Sequence, residues 1–125
     1  MFTKNTEKLE SFVGLNSHFK GEIKAKGTLR IDGSVEGNIE ADWLVLGEKA
    51  ILKGDAAARG IIVGGRIEGN VKAKEIIEIM AKGQIIGDIS AAKLTVSEGG
   101  VLEGHSFMQR DESKIVELHV KEKAK

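Results

Sequence analysis

Three histidines, His18, His105 and His119, are the side chains of this 125-residue sequence best suited to take or give a proton near neutral pH. None of them forms a close motif with further groups able to share a proton or hold a metal. The sequence has no cysteine, so it offers no thiolate nucleophile, no disulfide framework and no cysteine-ligated zinc. A cluster of glycines, VGGRIEG at 63–69, could suggest a phosphate cradle, but the chain lacks G-x-x-x-x-G-K-[ST]. The cluster reads instead as the corner of a repeat. No catalytic residue, cofactor site or metal site is expected, and the chain is read as a non-enzyme.

Charge narrows the partners further. Nineteen basic residues balance nineteen acidic ones, so no global field draws the chain to nucleic acid, and none is expected as a partner. The first twenty residues contain no apolar run of secretory length, and no stretch resembles a spanning helix. The expected location is cytoplasmic.

The elements that would have to position any site announce themselves as a repeat. FKGEI, VEGNI, LKGDA, IEGNV, IIGDI and LEGHS place Gly21, Gly37, Gly54, Gly69, Gly87 and Gly104 at a period of about seventeen residues. Two residues before these glycines stand Phe19, Val35, Leu52, Ile67, Ile85 and Leu102. Two after them stand Ile23, Ile39, Ala56, Val71, Ile89 and Ser106, and four after them Ala25, Ala41, Ala58, Ala73, Ala91 and Met108. Alternation with period two marks half-buried strands. A second segment carries the pairs Leu29 and Ile31, Leu44 and Leu46, Ile61 and Val63, Ile77 and Ile79, Leu94 and Val96. The distance from each pair to the next glycine varies between six and eight residues, which places the length differences in one corner.

This pattern predicts an all-β fold, a parallel β-helix in which each repeat is one coil and like residues stack on like. About six coils at a strand spacing of roughly 4.8 Å make a rod on the order of 29 Å long. Isoleucine-like residues also recur at six-residue steps, at Ile61, Ile67, Ala73, Ile79, Ile85 and Ala91, the rhythm of left-handed β-helices. That rhythm fails at Gly47, Lys53 and Ser97, and the pattern accommodates either hand. A left-handed hexapeptide-repeat acyltransferase is therefore the enzymatic alternative. Such enzymes usually carry an extruded loop and a separate acceptor-binding region, and the sequence shows neither.

The phrases LRIDGSVEGNIEA, EIIEIMAKGQIIGDISAAKLTV and GGVLEGHSFM resemble the bactofilins, small bacterial polymer-forming cytoskeletal proteins. The resemblance runs from about Phe12 to Met108. It implies a single-stranded right-handed parallel β-helix of roughly triangular section with flexible terminal tails. The corresponding division is a flexible N-terminal tail over 1–10, a β-helix domain over 11–108 and a flexible C-terminal tail over 109–125. It also implies self-assembly end to end into homopolymer filaments without a nucleotide, peripheral at the inner face of the cytoplasmic membrane. The implied role is a scaffold for cell shape or cell-wall synthesis, with cell-wall-modifying enzymes or other membrane proteins as partners. The opening MFTK is similar to the membrane-targeting start of some family members, which maps onto Met1, Phe2 and Lys4.

A β-helix leaves unpaired backbone and an apolar cross-section at each end. The sequence has no obvious capping helix and puts Phe12, Val13, Leu15 and Phe19 near one end and Val101, Leu102, Phe107 and Met108 near the other. These eight residues are the expected polymer interface. Trp43 falls just before the inward Leu44, so it points outward, and a corner contact is favoured over a lateral one. The tail RDESKIVELHVKEKAK alternates at Val116, Leu118 and Val120 but also offers helical spacings.

Overall fold

The computed structural model describes residues 9–109 and 115–120, with side chains described over 13–107. The first coil is made of β1 (Leu9–Val13), β2 (His18–Lys20) and β3 (Ile23–Lys24), and the second of β4 (Thr28–Ile31), β5 (Ser34–Glu36) and β6 (Ile39–Glu40). The third runs through β7 (Trp43–Leu46), β8 (Ile51–Lys53) and the start of β9 (Ala56–Val63). The fourth takes the rest of β9, β10 (Arg66–Glu68) and the start of β11 (Val71–Ile79). The fifth takes the rest of β11, β12 (Gln84–Ile86) and β13 (Ile89–Ala91), and the sixth β14 (Lys93–Val96) and β15 (Val101–Gln109). A last strand, β16 (Ile115–Val120), follows.

Every coil-to-coil pairing is parallel, and the sheet is continuous through all sixteen strands. Three faces result. β1, β4, β7, the ends of β9 and β11, and β14 stack on the first. β2, β5, β8, β10, β12 and the start of β15 stack on the second. β3, β6, the starts of β9 and β11, β13 and the end of β15 stack on the third. Each face has six rungs, separated by five coil-to-coil steps, and the section is triangular. The chain is a β-solenoid, as the repeat predicted.

The registers reproduce the columns of the sequence. Phe19 pairs with Val35, Val35 with Leu52, Leu52 with Ile67, Ile67 with Ile85 and Ile85 with Leu102. Apolar side chains at alternate positions all reach one interior, and Leu44, Leu52, Ile61, Ile67, Ile77 and Ile85 are completely buried. Each such side chain contributes about 1.5–3 kcal/mol relative to leaving it in water. Period-two burial also makes register strict, because a slip of one residue would turn the whole column outward.

The variable corner lies between the first and second faces. It holds two residues at Asp32–Gly33 and Gly64–Gly65, but four at 14–17, 47–50, 80–83 and 97–100. The four-residue form closes with turn bonds such as Ala50 N–H to the Gly47 carbonyl at 3.1 Å and Gly83 N–H to the Met80 carbonyl at 2.8 Å.

Ala73 lies directly over Ala58 in register and is 3% exposed. Just beyond it, the pairing shifts between Ala73 and Ile76 as the strand turns the corner. A larger side chain has no space to enter there, so Ala73→Leu is expected to destabilise the rod by about 1–3 kcal/mol, as overpacking does. An unchanged thermal midpoint would count against the alanine column.

Two boundaries differ from expectation. β1 begins at Leu9, because its backbone pairs with β4 from Leu9↔Thr28 onward, so the coil starts before residue 11. The second difference is larger. Ile115–Val120, assigned by the sequence to a flexible tail, forms a strand that pairs antiparallel with β15 from Gly104↔Val120 to Gln109↔Ile115.

Candidate assembly surfaces

Each rung of the corner between the second and third faces is built on one glycine. Gly21, Gly37, Gly54, Gly69, Gly87 and Gly104 all have φ between 136° and 149°, a region that only glycine enters without strain. From Gly37 onward a Cβ would also run into the carbonyl oxygen of the glycine one coil earlier.

The residues after the last five of these glycines add a side-chain ladder to the backbone of the next coil. The Asn70 amide donates to Asp55 Oδ1 at 3.0 Å, Asp55 to Asn38 Oδ1 at 3.4 Å, Asp88 to Asn70 Oδ1 at 3.4 Å and His105 to Asp88 Oδ1 at 3.2 Å. Asn and Asp suit this position because a short side-chain oxygen can take the backbone donor of the next coil. The sequence showed the polar column but not this use of it.

Among the described residues the side faces carry ion pairs. Arg30 makes two 3.0 Å bonds to Asp32, and that hydrogen bonding, opposed by slight desolvation, holds the guanidinium above its ordinary pKa. Arg66 Nε lies 2.7 Å from Glu68 and its other arm donates to Gln84 at 3.1 Å. His18 Nδ1 lies 2.8 Å from Ser34 Oγ, and His105 Nδ1 3.3 Å from Asp88 Oδ1. Both are surface contacts between adjacent coils. Among the described residues no three His, Cys, Asp or Glu side chains come together as a metal site, and none forms a helix able to cross a membrane. His119 has its backbone opposite His105 in β16.

The half-buried Trp43 lies over the backbone of the next coil. Its ring occupies the space that a Cβ on its register partner Gly60 would need. The indole and the glycine are therefore one packing unit at the corner where the third face meets the first.

The two ends of the rod are not alike. At the first coil, Phe19 is 37% exposed while every other member of its column is fully buried, and Leu15 is 54% exposed. Val13 is half-buried against the core, and so are Ile23 and Ala25, which the sequence reading did not single out. They belong to the same end surface because each is the first member of its column. Phe12 has its backbone in β1 opposite Arg30. Its side chain lies outside the described residues, as do Met1, Phe2 and Lys4.

The other end departs from expectation. Leu102 is completely buried, so it belongs to the core. Val101 and Phe107 are half-buried on outward positions. Val101 is in register with Gln84 on the second face, and Phe107 with Ser90 on the third, where its ring stacks 6.3 Å from that of His105. Alternation puts both on the flanks rather than on the end. Met108 pairs with Ala91, and its side chain lies outside the described residues. The core members left half-buried here are Leu94 and Val96, the last of their columns, a position that the sequence did display.

Comparisons with known proteins agree with this architecture. The profile of a family described as Bactofilin, polymer-forming cytoskeletal, matches residues 11–106. The chain is similar to bactofilin BacO of Myxococcus xanthus strain DK1622, with 24% identity over 110 residues that cover 87% of each chain. It is also similar to bactofilin BacP of the same organism, with 28% identity over 97 residues covering 77% of this chain and 40% of BacP. Among solved structures, it resembles the chain in a cryo-EM reconstruction of Thermus thermophilus bactofilin double helical filaments. That match has a TM-score of 0.70 and 26% identity, and covers 78% of this chain and 97% of the other.

Proposed function

We propose, for a chain that belongs to the bactofilin family of polymer-forming cytoskeletal proteins, that its rods join end to end into nucleotide-independent filaments. The observation that carries this reading is the Phe19 column. Identical geometry buries Val35, Leu52, Ile67, Ile85 and Leu102 completely, whereas Phe19 keeps 37% of its surface in water. The difference is that among the described residues no rung lies beyond it. A second copy would supply one, burying apolar surface and satisfying the free strand edges together. The T. thermophilus chain that this one resembles forms double helical filaments, which supports the same reading. Phe12, Val13, Leu15 and Phe19, joined by Ile23 and Ala25, form one contact surface, and the coil of Leu94, Val96 and Met108 the other, with Val101 and Phe107 on its flanks. Negative-stain electron microscopy of the purified chain in nucleotide-free buffer tests the assignment. Filaments are expected, and single rods at every concentration would reject it.

The filament serves as a scaffold beneath the cytoplasmic membrane, organising cell shape or wall synthesis and recruiting the enzymes involved. Met1, Phe2 and Lys4 are the attachment. One Phe inserted into the interface yields at most about 1.5–3 kcal/mol, so a single chain would bind weakly, while a filament presents many such segments at once and binds by avidity. Removing Met1 to Lys4 is expected to reduce co-sedimentation with liposomes severalfold and to leave the polymers intact. Equal pelleting of both proteins would remove this segment from the attachment.

A further inference from the structure

The strand β16 lies where a neighbouring molecule would have to dock. On the third face of the last coil, β15 pairs with β13 on one side. Its other edge is taken by Ile115–Val120 over six register pairs. This is the antiparallel pairing in a solenoid whose coils otherwise stack in parallel. Opposite Leu118 of this strand, Ser106 is fully buried, and Leu102 on the second face of the same coil is fully buried as well. Leu94 and Val96 of the same coil, on the first face, remain half-buried. The first coil has no such cover among the described residues, and there Phe19 and Leu15 are exposed. Among the described residues one end is thus uncovered, and part of the other is closed by the chain itself.

We propose that Ile115–Val120 is a built-in cap that competes with a second copy of this chain for the edge of β15, so that joining at this end waits on its release. A strand edge accepts one partner at a time. A copy continuing the solenoid would place a parallel strand there, and a copy related by a two-fold axis would place its own β15 antiparallel. β16 excludes both, and it holds the edge in the direction that the two-fold partner would adopt. The open first coil is free to join without any such step. This inference rests on the filament reading and adds an order to it, in which pairs of rods form through the open ends before longer polymers grow.

Two full-length variants test the cap. The chain has no cysteine, so His105→Cys combined with His119→Cys allows only this disulfide within a chain. Register partners of an antiparallel pair have Cα atoms about 4.5–5.5 Å apart, within the roughly 4.4–6.8 Å that a disulfide spans. Oxidised, this protein is expected to stop at single or paired rods, and reduced, to form filaments. In the second variant, Leu118→Pro removes a backbone donor from the middle of β16. If the cap is seated nine-tenths of the time, freeing it multiplies the competent fraction by about ten. The critical concentration read by sedimentation should then fall about tenfold. Long filaments from the oxidised protein, or an unchanged or higher critical concentration for Leu118→Pro, would overturn the cap and leave the filament reading standing. Absence of filaments from the wild type, the reduced protein and Leu118→Pro alike would reject both.

Discussion

Gly69→Ala is expected to destabilise the rod by more than about 3 kcal/mol, well beyond the effect of the same change at Gly21. The two glycines have the same backbone form, with φ of +149° at Gly69 and +136° at Gly21. Holding an alanine in that glycine-only region costs on the order of 1–3 kcal/mol at either site. What differs is the neighbour. A Cβ at Gly69 would run into the carbonyl oxygen of Gly54, whereas at Gly21 it would meet the Phe19 ring at an ordinary 3.6 Å. Gly54 cannot withdraw, because its own position is set by Gly37 in the coil before, and its amide donates to the Glu68 carbonyl at 2.9 Å. Overpacking against fixed backbone adds a further penalty of about 1–3 kcal/mol or more. Urea unfolding of both variants, at concentrations too low for assembly, measures the difference. Equal losses would mean that the column is conserved in form for its φ alone and that close stacking of coils contributes nothing.

Phe19→Asp is expected to abolish filaments while leaving the rod folded. Phe19 is the first member of its column and partly exposed, so the side chain can be replaced without opening a cavity between rungs. A neighbouring copy docked on this end would have to strip water from the new carboxylate with no partner to offer. An unpaired buried charge costs several kcal/mol. At about 3 kcal/mol the critical concentration rises more than a hundredfold, since each 1.4 kcal/mol is a factor of ten. Lys53→Asp, at an exposed position on the flank of the third coil, is the control and should polymerise. Circular dichroism should give β-rich spectra for both. Filaments of normal length from Phe19→Asp would exclude the first coil from the longitudinal contact.

The body of the solenoid was legible because its interior obeys a local rule. Alternation decides which side chains face inward, and once Val35 and Leu52 both face inward at equivalent distances from a glycine, stacking them is the arrangement that buries both. The same reasoning located the corner whose length varies, since inserted residues between Ile79 and Gln84 can bulge without disturbing either strand. It also placed Trp43 outward. It could not place Gly60 beneath the indole, because that contact joins residues a whole coil apart and depends on where the corner turns.

The ends were decided by tertiary structure alone. Phe19 and Leu102 are members of one column with the same apolar character, and by sequence both looked exposed. One is open to solvent and the other is buried, because exposure at a rod end depends on what lies beyond the last rung rather than on the residue itself. On the third face of the second end, what lies beyond is β16, whose Val116, Leu118 and Val120 carry both strand-like and helix-like spacings. Its backbone donors and acceptors could find partners within a helix or across a sheet, and only the free edge of β15 selects the strand. The repeat determined how the chain stacks on itself; the fold determined where that stacking stops and which end a second molecule can reach.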